Sequence, residues 1–273
     1  MRRAILGGIV LAALGVAGAL AYQGVTEDRE YRRLIIQGDE ALGQSQTFVA
    51  IEAFSGAIAL RPDSMLAYLR RGEAYRRRGD LTSALHDLRN ASRLDPGATH
   101  PLEQLGDVNY ALRRYERATE SYEAYLRLND RSPSVLYKLA LASRNAGNLP
   151  RAVAALRQAV QLNERFAEAY YLLGVCLRQR RRIDEAFVAQ GHAVDLSPAL
   201  IPAREELADL HALSGRRREE IEQLEALAAL DPGRSERLIA VGLCRAGTRF
   251  GQNQIAAGRA GSTDCRSGQS PRT

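Results

Sequence analysis

Histidine and cysteine build most metal sites and many nucleophilic centres, and this chain is sparing with both. His86, His100, His192 and His211 show no H-E-x-x-H or similar ligand spacing. Cys176, Cys244 and Cys265 form no C-x-x-C pair, so neither a zinc knuckle nor a thioredoxin-type centre is expected. In an oxidising compartment Cys244 could join Cys265 and leave Cys176 as a small buried residue. There is no phosphate-cradling glycine loop and no strained nucleophile turn. The expectation is a protein that is not an enzyme and holds no metal or cofactor.

The other side chain with binding chemistry is arginine. Lys138 is the one lysine among 38 basic residues, so the positive charge is almost wholly guanidinium, which forks onto carboxylates and phosphates. The net charge is +6, but the arginines are interleaved with 32 carboxylates, and no nucleic-acid partner is expected from that balance. Runs such as "RRRGD", "RQRRR" and "SGRRR" suit helix ends, where a cation favours the backbone dipole. Hydrophobic residues make up 45% of the chain and aromatics only 6%, with no tryptophan, which fits many helix contacts better than strands or a large cavity. An all-α fold is expected.

The elements that position these residues follow from an internal period. Counting from Tyr31 in steps of 34, frames open at Tyr31, Met65, Thr99, Pro133, Ala167 and Ile201 without an insertion. The eighth position reads Gly38, Gly72, Gly106, Ala140, Gly174 and Ala208; the twentieth reads Ala50, Ala84, Ala118, Ala152, Ala186 and Glu220. Position 27 is alanine except at Tyr125 and Leu227, and position 32 is proline except at Asp130 and Glu164. Positions 4, 7, 8 and 11 share one helical face, and 20, 24 and 27 share another, so each frame predicts two amphipathic helices. Close helix crossing requires small side chains, which predicts the position-8 glycine opposite the position-20 alanine, with larger residues such as Leu105, Leu139, Leu173, Leu88 and Leu156 filling the space around the crossing. Proline at 32 stops the second helix.

This pattern resembles the tetratricopeptide repeat, whose 34-residue helix-turn-helix units keep small residues at 8, 20 and 27. The resemblance covers about 31 to 234 and implies a right-handed α-solenoid of six units, 31–64, 65–98, 99–132, 133–166, 167–200 and 201–234. Leu34, Tyr68, Leu102, Leu136, Tyr170 and Arg204 replace the family's tryptophan at position 4, and the sixth frame matches least well. In the family the first helix of each unit lines a concave groove, chiefly through positions 2, 5, 9, 12 and 13. Those positions single out Arg76, Tyr110, Tyr137, Arg144, Asn145, Tyr171 and Arg178 as a groove of arginine and tyrosine for a protein or peptide partner. The carboxylate clamp of chaperone-binding relatives needs Lys and Asn at positions 5 and 9; Tyr137 with Leu141, and Leu69 with Glu73, do not supply it.

Outside the repeats, Arg2 and Arg3 precede an uncharged run, Ala4 to Tyr22, that reads as an export signal or a membrane anchor. Its 19 residues reach roughly 28 Å as a helix, enough to cross a hydrocarbon core, while Ala19-Leu20-Ala21 is a signal-peptidase type of site. Either reading sends the rest of the chain to the extracytoplasmic side, membrane-anchored or secreted. Residues 23–30 serve as a linker, 235–257 as a closing helix, and 258–273 as a disordered tail. The expected function is an adaptor that binds a protein segment in the groove. The alternatives are a helical-repeat nucleic-acid binder, interrupted by Glu73, Glu103, Asp107, Glu205 and Asp209, or an oligomer-forming structural subunit.

Overall fold

The computed structural model describes residues 2–231, with side chains from Tyr22 onward. Among the described residues there are twelve helices and no strand: α1 (Arg2–Gly43), α2 (Thr47–Leu60), α3 (Met65–Arg78), α4 (Leu81–Leu94), α5 (Thr99–Ala111), α6 (Tyr115–Leu128), α7 (Pro133–Asn145), α8 (Leu149–Leu162), α9 (Ala167–Gln179), α10 (Ile183–Leu196), α11 (Ile201–Leu213) and α12 (Arg217–Leu230). Helices α3, α5, α7, α9 and α11 begin at the residues where the 34-residue frames open. The described residues fall into two compact units that divide between Gln158 and Ala159. In the first, α1 packs on α2, α3 on α4 and α5 on α6, and each second helix meets the next first helix. First helices also touch, α1 with α3 and α3 with α5. In the second unit α9 packs on α10 and α11 on α12, with α10 against α11 and α9 against α11.

The hairpins close on their position-8 glycines, and the side chain nearest each glycine stands at position 24 rather than at the position-20 alanine. A Cβ on Gly38 would stand 2.4 Å from the Phe54 ring, one on Gly106 2.3 Å from Tyr122, and one on Gly174 2.5 Å from Gln190. At Gly72 the nearest atom is Leu88 at 3.0 Å, with the Ala84 carbonyl farther at 3.5 Å. The residue at position 24 therefore fills the space that glycine leaves, and Phe54, Leu88 and Tyr122 are among the most deeply buried side chains. Where position 8 is alanine, at Ala140 and Ala208, position 24 is leucine, at Leu156 and Leu224.

Every described turn within a frame places position 15 in the left-handed region: Ser45, Gly79, Arg113, Gly147, Arg181 and Gly215 have φ between 57° and 85°. Glycine takes this conformation freely; Ser45, Arg113 and Arg181 take it because the packed helices on both sides dictate the turn. The stop between frames does not depend on proline. Asn129 and Asn163 stand before the two frames' missing prolines, and their side chains accept from the amides of Arg131 and Arg165 at 3.3 and 3.1 Å. Asp95 makes the same turn to Gly97 at 3.0 Å, although proline follows it.

Residues 23–30, read from sequence as a linker, are helical and continuous with the first repeat helix in α1. Asp28 pairs with Arg61, whose guanidinium lies 4.4 Å above the Tyr31 ring. The Tyr31 hydroxyl then meets Ser64 Oγ at 2.6 Å, and Ser64 caps α3 by accepting from the Ala67 amide at 3.1 Å. The start of the first frame is thereby tied to the start of the second. Among the described residues no helix is long and apolar enough to cross a membrane; the side chains of 2–21, on which the export or anchor reading rests, lie outside them. The closing helix at 235–257, the tail at 258–273 and the Cys244–Cys265 pair also lie outside the described residues, while Cys176 is buried.

Substitutions at the glycines separate packing from propensity. Gly191→Ala meets nothing within 4 Å and is expected to stabilise by about 0.5–1 kcal/mol through helix propensity. Gly106→Ala drives a methyl into the Tyr122 ring and is expected to cost about 1–3 kcal/mol despite the same gain. Thermal unfolding midpoints that move in the same direction would refute the packing account. At Arg113, whose φ is 57°, substitution by glycine relieves about 1–2 kcal/mol of steric strain. Part of that is offset by unfolded-state entropy, so Arg113→Gly should unfold at higher denaturant concentration than the parent.

Candidate functional site

The first helices carry a row of acids at position 9: Asp39 on α1, Glu73 on α3 and Asp107 on α5. None is left alone. Arg70, on α3, lies 3.3 Å from Asp39 and 3.4 Å from Glu73. Arg77 donates to Glu73 at 2.5 Å and to the Leu42 carbonyl of α1 at 3.1 Å. Lys138, on α7, donates to Glu103 at 2.7 Å and to Asp107 at 2.9 Å, bridging two carboxylates one turn apart on α5. The hydroxyl of Tyr122, whose ring lies over Gly106, donates to the other oxygen of Asp107 at 2.8 Å.

Burial opposes the charge of Lys138, but its bonds to Glu103 and Asp107 outweigh that and hold its pKa above the ordinary value. Burial, with the Asp107 carboxylate next, pushes the Tyr122 hydroxyl far above the ordinary tyrosine range. A second ionic knot sits behind this row. Arg71 donates to both oxygens of Asp87, at 2.7 and 2.9 Å, and to Ser55 at 3.1 Å, with the Tyr68 and Tyr75 rings each 5.8 Å from its guanidinium. Asp87 is 1% exposed and its hydrogen bond, against the cost of burial, raises the Arg71 pKa. This pair ties α2, α3 and α4 together.

The residues singled out from sequence divide between the two units. In the first, Arg76 is exposed at the end of α3, Tyr110 is half-buried on α5, and Tyr137, Arg144 and Asn145 follow on α7. Asn145 donates to the Tyr110 hydroxyl at 2.8 Å, and the Tyr110 ring stands edge-on to Tyr115 at 5.5 Å. Arg76 and Arg144 have no acidic partner among the described residues. In the second unit Tyr171 is half-buried on α9 and accepts at its backbone carbonyl from Gln190 at 3.0 Å. Arg178 differs from the expectation of a fork held out to a partner: it donates to Glu206 of α11 at 3.0 Å.

Position 6 was missed by the sequence reading, yet Arg70, Lys138 and Glu206 all stand there and reach positions 9 or 12 of the preceding first helix. The available signal was Lys138, the one lysine in an arginine-rich chain. A compact ammonium can bridge two carboxylates that a planar fork would address one at a time. Among the described residues no group of three or more His, Cys, Asp or Glu is arranged to hold a metal ion. His86 and His100 contact Asn90 and Gln104, while His192 and His211 stack near Tyr170 and Phe187.

A tetratricopeptide repeat profile matches residues 37–99, 74–135, 103–163 and 137–199, together more than half of the chain. The chain belongs to the tetratricopeptide repeat family. Small glutamine-rich tetratricopeptide repeat-containing protein 2 of Mycosarcoma maydis is 32% identical over 112 residues, 41% of this chain and 32% of that protein. Hsp70-Hsp90 organizing protein of Triticum aestivum is 28% identical over 100 residues, 37% of this chain and 17% of that protein. The chain thus spans a third or less of the length of these two relatives. Among solved structures, the tetratricopeptide repeat protein YrrB superposes with a TM-score of 0.60 at 25% identity, covering 70% of this chain and 98% of YrrB.

The repeat's polar stitch has a definite pH signature. Tyr122 and Lys138 both have raised pKa values in the fold. The stability each contributes is therefore complete below its unfolded value, about 10 for tyrosine and 10.4 for lysine, and declines as pH rises beyond it. Tyr122→Phe removes one of these titrations and one hydrogen bond worth about 1 kcal/mol. Its unfolding midpoint should lie below the parent's at pH 7, meet it at about pH 11 and exceed it at higher pH. Parallel curves from pH 8 to about 12 would refute the assignment.

Proposed function

We propose that this chain is a non-enzymatic adaptor of six tetratricopeptide units, 31–64 through 201–234, whose first helices take up a segment of a protein partner. It acts on the extracytoplasmic side of a membrane, to which residues 1–22 anchor or deliver it. The observation that carries the reading is the division of charges on α3, α5 and α7. Glu73, Glu103 and Asp107 are consumed within the repeat stitch, while Arg76 and Arg144 carry no acidic partner among the described residues. Tyr110 and Tyr137 stand half-buried on the same helices. Arginine and tyrosine are the types on which binding energy concentrates at protein interfaces.

Family membership supports an adaptor role, since one relative is named an Hsp70-Hsp90 organizing protein and YrrB is described as having an unusual peptide-binding site. The extracytoplasmic placement is supported by Arg2 and Arg3 followed by the uncharged run to Tyr22.

The test is affinity purification of the full chain from native membranes, parent against Tyr137→Ala with Arg144→Glu, both checked for helical content. The substituted chain should lose its principal protein partners. An unchanged partner list would remove the groove reading.

A further inference from the structure

The partner's chemistry can be narrowed from the same helices, an inference that rests on the groove reading above. Arg76 on α3, Tyr110 on α5 and Arg144 on α7 share position 12 in consecutive frames. These helices are successive neighbours: α3 touches α5, and α7 reaches α5 through Lys138 with Glu103 and through Asn145 with Tyr110. Packed helix axes lie about 8–10 Å apart, so two steps separate the arginines by roughly 16–20 Å. An extended chain advances about 3.2–3.4 Å per residue, so that interval corresponds to about five or six residues.

The local charge is one-sided. The nearby acids Asp39, Glu73, Glu103 and Asp107 are each within ion-pair reach of Arg70, Arg77 or Lys138. What remains without an acidic partner on this side is cationic, and Arg113 and Arg114, exposed in the turn after α5, add to it. Arg144 is half-buried, so a carboxylate arriving there meets a guanidinium already partly shielded from water. Tyr110, its hydroxyl held by Asn145, offers a ring between the two cations.

We infer that the first unit binds an extended protein segment carrying two acidic side chains five or six residues apart, one received by Arg76 and the other by Arg144. The segment crosses the first helices from α3 to α7 and passes over Tyr110. Both carboxylates are internal side chains, so no free chain end is required. A helical segment, advancing about 1.5 Å per residue, would instead need its acids eleven to thirteen residues apart.

The experiment uses the full chain and fluorescein-labelled peptides of Ser, Gly and Thr with two glutamates at separations from two to thirteen residues, read by fluorescence anisotropy at low salt. Affinity should peak at a separation of five or six and fall at least tenfold on either side. Arg76→Ala and Arg144→Ala should each flatten the dependence on spacing, and the double variant should bind more weakly than either single. Neither substitution strands an opposing charge, and circular dichroism verifies the fold. A peak at eleven to thirteen, equal affinity at all separations, or tighter binding of an oligonucleotide of matched charge would each overturn the inference. The groove reading fails separately, through an unchanged partner list for Tyr137→Ala with Arg144→Glu.

Discussion

Two helices of a hairpin can close only where one of them contributes almost no side chain, and the space so opened must be filled. Glycine at position 8 opens it, and Phe54, Leu88, Tyr122 or Gln190 at position 24 fills it. The dispersion gained there depends on contact at van der Waals distance, so a single methyl in the wrong place forfeits it. Consequences run outward from this contact. Because the Tyr122 ring is held over Gly106, its hydroxyl arrives at Asp107, and Asp107 with Glu103 then holds Lys138 of the next first helix. A packing event inside one hairpin thereby sets the spacing between two repeats and the charges left for a partner.

The charged side chains of the first helices serve two masters. Those at positions 6, 9 and 13 mostly stitch neighbouring first helices, as Arg70, Arg77 and Lys138 do in the first unit and Glu206 does in the second. Such pairs are partly exposed, so each contributes little to stability. Their larger effect is on register, since each joins defined positions of consecutive frames. Once they are satisfied, the charges that remain are few and identifiable, and specificity falls to them. A tetratricopeptide surface with many charges in its sequence can thus present only a small number to its partner.

The connections show how strongly the packed helices control the backbone. Position 15 adopts positive φ whether it is glycine, serine or arginine, because the helices on either side leave one path between them. Likewise the second helix stops at position 31 with or without proline at 32, since Asn129 and Asn163 supply a side-chain turn where proline is missing. Residue preference assists these turns; the helix pair dictates them. The N-terminal end obeys the same rule, for residues 23–30 have no turn or breaker strong enough to end α1 before it reaches Tyr31.

The sequence alone determined the period, the starts of five helices, the small positions at each crossing and the family, because these are local requirements repeated every 34 residues and visible as repetition. It also located Arg76, Tyr110 and Arg144 on neighbouring first helices. It placed Leu88 and Leu156 around the crossing but did not single out Phe54, Tyr122 or Gln190 at the same position, because spacing on one helix does not reveal which residue of the other lies directly over the glycine. Only the tertiary structure decided which charges are spent. Lys138 meets Glu103 across 35 residues and Arg178 meets Glu206 across 28, and such pairings depend on how one helix lies against the next. A repeat fixes where an arginine stands, but whether it is free to bind depends on whether its neighbour has already claimed it.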